Sequence, residues 1–252
     1  MQKNQPCFIA HRGESYDAPE NTLASVNLAW ERGVGAVEVD VHCTADNQIC
    51  VIHDSNTLRT TGKKLIVRKS KLSELQQLDA GAWKGEKWTR ETIPSLKQVI
   101  ASVPVHGKLI VEIKGSWRLL DNLKQDISTL SKEQVVIIAF NLKTLARAKK
   151  QMHQLKMLWL IESKPLWCQL ILGTYPKAII KKLKKYGIDG INIGDSRYLT
   201  KKIIKKLTSA GIPVYTWTVN DPDRATYLLN SGVQCITTDR AAWLKKKLND
   251  KK

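Results

Sequence analysis

The 252-residue sequence predicts an α/β fold, a closed (β/α)8 barrel of parallel strands. Three observations lead there. Short apolar runs recur along the chain, amphipathic stretches fill most gaps between them, and the glycine fingerprint of a dinucleotide-binding open sheet is absent. Strands that alternate with helices build right-handed βαβ units, and hence a parallel sheet. Eight such strands favour closure into a barrel.

The strand runs are CFIA from Cys7, AVEVDV from Ala36, LIVEIK from Leu109, VVIIAF from Val135, MLWLI from Met157, GINI from Gly190, PVYTWTV from Pro213 and QCITT from Gln234. Between them, TLASVNLAWERG from Thr22 and PDRATYLLNSG from Pro222 read as helices that stop at glycine. A ninth run, ICVIHD from Ile49, follows the second strand too closely for a crossover helix, so it pairs back as a hairpin and stays outside the barrel. With Asp46-Asn47 as a two-residue loop, Asp40 lies opposite His53. Residues 55 to about 95 carry no strand–helix repeat. They read as a small insertion after this hairpin, over one mouth of the barrel, where long connections form lids and substrate walls. The chain is expected to be one catalytic barrel domain over residues 1–252.

Lys and Arg number 41 against 23 Asp and Glu, a formal net charge of +18. Such an excess attracts polyanions. Its distribution points to a solvated surface instead. In IIKKLKKYG from Ile179 and IIKKLTSAG from Ile203 the apolar residues recur at helical spacing, which turns the lysines to water. With no nucleic-acid-binding module recognisable, nucleic acid is not an expected partner, and attraction to anionic membranes is at most weak and peripheral. The five cysteines, Cys7, Cys43, Cys50, Cys168 and Cys235, form no CxxC pair and lie mostly in apolar runs. They read as small hydrophobes of a reducing compartment rather than as a disulfide framework. No secretory signal and no bilayer-length apolar stretch is read, so a cytoplasmic location is expected. The tail KKKLNDKK from Lys245 reads as a frayed basic end.

Barrel enzymes carry their chemistry just past the C-terminal ends of the strands. His11 and Arg12 follow the first strand, Glu38 and Asp40 end the second, Glu112 and Lys114 end the third, and His53 ends the hairpin. Glu38 and Asp40, two apart, share one side of a strand, and Glu112 supplies a third carboxylate from the neighbouring strand. Three close carboxylates repel unless a proton or cation lies between them. An all-oxygen site of this kind suits one divalent Mg2+ or Ca2+. His11 and His53 are suited to general acid–base work near neutral pH. Arg12 and Lys114 would clamp an anion, or neutralise the acids, or both. His42 shares the parity of the acids but lies further out on the hairpin, while His106 and His153 read as surface residues.

These residues, in this order, resemble the glycerophosphodiester phosphodiesterase family. The resemblance is carried by HRGESYDAPENT from His11, AVEVDVHCTADNQICVIHD from Ala36, TLRTTG from Thr57, IVEIK from Ile110, VYTWTVND from Val214 and TTDR from Thr237, and it covers nearly the whole chain. The stretch from Gly81 to Trp83 also looks like the family's insertion. What it implies is a TIM-type barrel that hydrolyses glycerophosphodiesters, small-molecule substrates, to an alcohol and sn-glycerol 3-phosphate, in lipid and glycerol metabolism. It further implies Glu38, Asp40 and Glu112 as metal ligands, His11 and His53 as the acid–base pair, Arg12 and Lys114 on the phosphate, Glu20 and Asn21 bracing or joining the metal shell, and Phe140 and Trp217 as apolar walls. One departure is visible: Ala139 stands where family members often carry a small hydroxyl residue, which puts one substrate hydrogen bond in doubt. Two other functions compete. A lysophospholipase D-like enzyme acting on lysophospholipids would need an apolar groove, to which Trp83, Trp88, Trp117 and Trp167 would contribute. A non-catalytic phosphodiester-binding barrel would have no use for both histidines and all three acids.

Overall fold

The computed structural model describes residues 7–115, 117–163 and 175–250; Trp167 and Cys168 lie outside them. Among the described residues nine strands form: β1 (Cys7–His11), β2 (Ala36–Cys43), β3 (Ile49–Val51), β4 (Lys108–Ile113), β5 (Val135–Ala139), β6 (Lys156–Ile161), β7 (Gly190–Gly194), β8 (Val214–Trp217) and β9 (Cys235–Thr238). All but β3 pair in parallel, in the order β1-β2-β4-β5-β6-β7-β8-β9, and β9 returns to β1. The sheet is therefore closed, and the eight-membered (β/α)8 barrel follows from the strand–helix alternation.

The period of two along each strand divides the core into two layers. One set of side chains fills the barrel: Ile9, Ala36, Ile110, Val136, Ile138, Leu158, Leu160 and Cys235. The alternate set, including Phe8, Val37, Leu109, Ile137 and Met157, packs outward against helix residues such as Val26, Leu145 and Leu228. The helices have their own local causes. The helix Leu23–Glu31 starts where the Thr22 side chain accepts from the Ser25 N–H, and the helix Pro222–Ser231 starts at an Asp221 cap and stops at Gly232 in a left-handed conformation. In the helix Lys201–Thr208, Ile203, Ile204 and Leu207 are buried while Lys201, Lys202, Lys205 and Lys206 face water.

The hairpin differs from the sequence reading by one residue. Val41 pairs with Val51, His42 with Cys50 and Cys43 with Ile49. The loop is Ala45-Asp46-Asn47, closed by Thr44 N–H to the Gln48 carbonyl at 2.9 Å, with Asn47 at φ 58°. A three-residue loop ending in a left-handed residue is as good a hairpin connection as a two-residue one, and Asn tolerates that position. The slip changes what opposes what: Ile52, not His53, donates to the Asp40 carbonyl, at 2.9 Å. His53 reaches the mouth from the bend beyond the strand.

Between the hairpin and the helix Leu96–Ala101 the chain forms only short turns, among them the helices Leu58–Thr61 and Leu72–Leu75. They gather on a small apolar cluster of Cys50, Ile52, Val67, Leu75, Ala80 and Ile93. This segment reaches the barrel mouth through Arg59 and Lys84, whose side chains bond to Glu20 and to the Ser15 carbonyl.

Candidate active site

Continuing each inward-facing row by one step past the apolar filling gives the lining of the mouth. After Ile9 comes His11, after Ala36 come Glu38 and Asp40, after Ile110 come Glu112 and Lys114, after Ile138 comes Phe140, and after Cys235 comes Thr237. The cavity they surround has a volume of about 230 Å3, and His11, Arg12, Glu38, His53, Glu112, Lys114, Phe140 and Trp217 all line it. The same parity turns Ala139 outward, into the layer under the helices. A hydroxyl at 139 would not point into the cavity, which removes the doubt raised by that departure.

The turn after β1 is built on unusual backbone. Arg12 has φ 57° and Gly13 φ 83°. The turn sends the Arg12 N–H to Glu38 Oε2 at 3.0 Å and its guanidinium to Glu20 at 2.8 Å and Asp40 at 3.1 Å. A Cβ on Gly13 would stand 2.5 Å from the backbone carbonyl carbon of Ser25. Gly13→Ala is therefore expected to cost about 2–4 kcal/mol of stability and to lower turnover by displacing His11 and Arg12. A urea denaturation midpoint within error of wild type would refute this.

Glu38, Asp40 and Glu112 are all buried, and each offers an oxygen within 4.8 Å of the others. Asp40 is held by Asn21, whose amide donates to Oδ2 at 2.8 Å and whose Oδ1 accepts the Asp40 N–H at 3.1 Å. The Lys114 ammonium lies 2.6 Å from Glu112 Oε1 and 3.1 Å from Asp40 Oδ1. Glu38 Oε1 is buried with neither a hydrogen bond nor an ion pair among the described residues. The electrostatics follow. Burial, then the charges of Asp40 and Glu112, push Glu38 well above the usual carboxylate range. Burial and Asp40 push Glu112 up to about 7. Burial works on Asp40 in the same direction, but Lys114, Arg12, His53 and the Asn21 bond outweigh it and hold Asp40 below its ordinary value. A hard oxygen cluster with one bare buried oxygen and two reluctant carboxylates fits a divalent cation by donor type and by charge.

Both histidines are oriented by a carboxylate. His11 Nδ1 is 2.7 Å from Asp239 Oδ1, and His53 Nδ1 is 2.6 Å from Asp54 Oδ1. A ring held through Nδ1–H leaves Nε2 for chemistry. Burial lowers the pKa of His53 below the ordinary imidazole value, against the pull of Asp40 and Asp54. Asp239 sits at about 2: burial opposes this, but the His11, Asn220 and Ser15 bonds prevail. His42 lies beside this pair rather than in the cavity, where its Nε2–H donates to the His53 carbonyl at 3.0 Å.

Glu20 stands apart from the three-carboxylate cluster. It takes the guanidinium of Arg12, and also that of Arg59, which reaches on to Asp54 at 2.8 Å. Phe140 and Trp217 meet edge to face, with ring centroids 5.6 Å apart, as one wall. Beside this wall, where Trp217 Nε1–H donates to the Asn192 carbonyl at 3.2 Å, Asn192 Oδ1 and Thr237 Oγ1 are buried at the cavity without hydrogen-bond partners among the described residues. Trp83 and Trp117 are exposed, and Trp83 lines a second cavity that shares His11 and Arg12 with the first. Sequence reasoning assigned no role to Asp54, Arg59, Asn192, Asn220 or Asp239. The signal for most of them was present, since Asp54, Arg59, Asn220 and Asp239 close or sit within the motifs VIHD, TLRTTG, TVND and TTDR.

Among the described residues no helix is long and apolar enough to cross a membrane. Comparison with known proteins adds the following. The family model of the glycerophosphoryl diester phosphodiesterase family matches residues 11–242. A glycerophosphodiester phosphodiesterase of Caldanaerobacter subterraneus is 30% identical over 237 residues, covering 92% of this chain and 93% of its own. A structure of an Oleispira antarctica phosphodiesterase in complex with the product sn-glycerol-3-phosphate superposes with a TM-score of 0.88 at 28% identity, over 97% of each chain. The Thermotoga maritima glycerophosphodiester phosphodiesterase, at 22% identity and a TM-score of 0.79 over 96% of this chain and 98% of its own, shares the fold. The chain belongs to the glycerophosphoryl diester phosphodiesterase family, whose members are phosphoric diester hydrolases.

Proposed function

We propose that this protein hydrolyses glycerophosphodiesters to an alcohol and sn-glycerol 3-phosphate, with one divalent cation, Mg2+ or Ca2+, held by Glu38, Asp40 and Glu112 as its cofactor. The observation that carries this reading is the convergence on one cavity of two imidazoles, each braced by a carboxylate, and a buried acidic cluster. When bound, the cation supplies positive charge to the phosphoryl oxygens and relieves the mutual repulsion of the acids.

The protein's own groups do the rest. His53, kept neutral by burial, takes the proton of the attacking hydroxyl, that of water or of the substrate's glycerol 2-position. His11, paired with Asp239, returns a proton to the leaving alcohol oxygen. Arg12 and Lys114 present N–H groups to the phosphoryl oxygens, and Glu20 and Asn21 hold Arg12 and Asp40 in place. Phe140 and Trp217 wall the glycerol moiety, while the bare Asn192 Oδ1 and Thr237 Oγ1 accept from its hydroxyls. That the related Oleispira structure holds sn-glycerol-3-phosphate agrees with this assignment. The whole chain acts as one catalytic domain, with residues 55–95 as its insertion. Four described cysteines, all free, suit the reducing cytoplasm.

The test is direct. The protein is incubated with the ethanolamine, choline and glycerol diesters of glycerol 3-phosphate, with Mg2+, with Ca2+ and with EDTA, and free glycerol 3-phosphate is measured. Release from at least one diester, abolished by EDTA, is expected. No release under either metal would end the proposal.

A further inference from the structure

A second cavity, of about 240 Å3, opens beside the first and shares His11 and Arg12 with it but not His53. Its remaining walls are Ser15, Tyr16, Glu20, Trp83, Lys84 and Asp239. We propose that this cavity seats the leaving alcohol, and that it selects a neutral polyhydroxy alcohol, of the glycerol or inositol type, over a cationic one of the choline type. The proposal rests on the phosphodiesterase reading above.

Position comes first. A phosphodiester has two arms. With the phosphate between His11 and Arg12, the glycerol arm enters the cavity that holds the Phe140–Trp217 wall, and the other arm has the second cavity. His11, standing between the two, is the group placed to protonate that arm's oxygen.

Charge comes next. The cavity holds two carboxylates, and both are already satisfied. Glu20 accepts from Arg12 at 2.8 Å and from Arg59 at 2.8 Å; Asp239 accepts from His11 and Asn220, each at 2.7 Å. Lys84 adds a positive charge. Its ammonium is fixed to the Ser15 carbonyl at 2.7 Å, and no ion pair to a carboxylate is found for it among the described residues. A trimethylammonium group would therefore find both carboxylates already engaged and would meet the Lys84 ammonium at short range.

The aromatic faces do not rescue it. Trp83 and Tyr16 are exposed, and an aromatic corner of this kind would otherwise suit a quaternary ammonium. Both rings already carry a cation of the protein's own: the Arg240 guanidinium lies 3.7 Å from the Tyr16 ring centre and the Lys84 ammonium 5.6 Å from that of Trp83. What the cavity does offer is hydrogen bonding. The Lys84 ammonium has donors left after Ser15, and Ser15 Oγ, which donates to Asp239 at 3.3 Å, has lone pairs left to accept. Hydroxyl groups use both.

The experiment compares kcat/KM for the glycerol, inositol and choline diesters of glycerol 3-phosphate, read as release of glycerol 3-phosphate. Wild type is expected to favour both polyol diesters over the choline diester by about tenfold or more, and Lys84→Glu to shift that ratio toward choline by a further tenfold or about that. Lys84→Gln should shift it part of the way. Ratios within one variant cancel any loss of folded protein. Equal or faster turnover of the choline diester by wild type overturns the proposal, as does a ratio unmoved in both variants, and in each case the phosphodiesterase reading survives. No release from any diester removes both.

Discussion

His53→Ala is expected to lower kcat/KM for glycerophosphodiesters by about 10²–10⁴, and His11→Ala to do the same, with the folded protein intact. The expectation comes from what each ring can do as an imidazole on the cavity. Lys114 and Arg12 are cations, and Lys114 is held charged, burial notwithstanding, by Asp40 and Glu112, so neither can serve as a base near pH 7. Glu112 carries a pKa near 7 in the metal-free protein, yet it is bonded to Lys114 and belongs to the cluster that a cation would occupy. The two imidazoles, each held through Nδ1 by a carboxylate, keep Nε2 for proton transfer at the cavity. The two variants differ in their pH dependence. Since burial holds the His53 pKa below 6.5, wild-type kcat/KM should fall on the acid side of that value as the base is protonated, and His53→Ala should lose this limb. A substrate whose leaving alcohol is already acidic, such as a nitrophenyl diester, needs no acid; His11→Ala should therefore recover most of its activity on it, and His53→Ala should not. Equal losses on both substrates for both variants would reject the division of roles.

Asp239→Asn and Asp54→Asn probe the same machinery one bond away. Those two residues show where the sequence was legible and where it was not. Glu38, Asp40 and Glu112 can be read directly, because strand parity fixes their side and the preceding residues on that parity, Ala36 and Ile110, fill the barrel. Asp239 lies 228 residues from His11, and no periodicity links them; only the closure of β9 onto β1 brings them to 2.7 Å. Asp54 falls outside any strand, so parity says nothing of its side chain. The hairpin register was misread for a related reason. Two- and three-residue loops both accommodate Asp46-Asn47 with Asn47 left-handed, and the choice depends on Asp46, which a two-residue type I′ loop would also make left-handed and which here stays outside the positive-φ residues. The error moved His53 by one pairing and left it at the mouth, because the bend after β3 carries it there regardless. The second cavity was the least legible part. It joins residues of the turn after β1 to Trp83 and Lys84, brought in by a segment whose path is set by its own small apolar cluster.

Glu112→Gln should raise the stability of the metal-free protein at pH 8 while lowering its activity about a hundredfold or more, two effects of opposite sign from one atom exchange. Ionising Glu112 in the fold is costly because it is buried beside Asp40. Its pKa rises from the ordinary 4.5 to about 7, so between those values the folded chain holds a proton that the unfolded chain has released. Stability from this group is thus fully present below pH 4.5 and drains away as pH climbs to 7. Above 7 the whole penalty remains, of order 1–3 kcal/mol. Glutamine keeps the shape and removes the charge. It gives up the charge of the 2.6 Å Lys114–Glu112 ion pair, though its amide oxygen can still accept from Lys114, and Lys114 retains Asp40 at 3.1 Å. The melting temperature of the variant without metal should therefore exceed that of wild type at pH 8 by about 2–8 °C, with the gap closing toward pH 4.5. Saturating Mg2+ or Ca2+ should reverse the order, stabilising wild type by about 3 kcal/mol at a hundredfold excess over its dissociation constant and the variant by much less. A variant less stable than wild type at pH 8 without metal would mean that Lys114 alone satisfies Glu112. The acidic cluster would then be a finished ion-pair network rather than a site that awaits a cation.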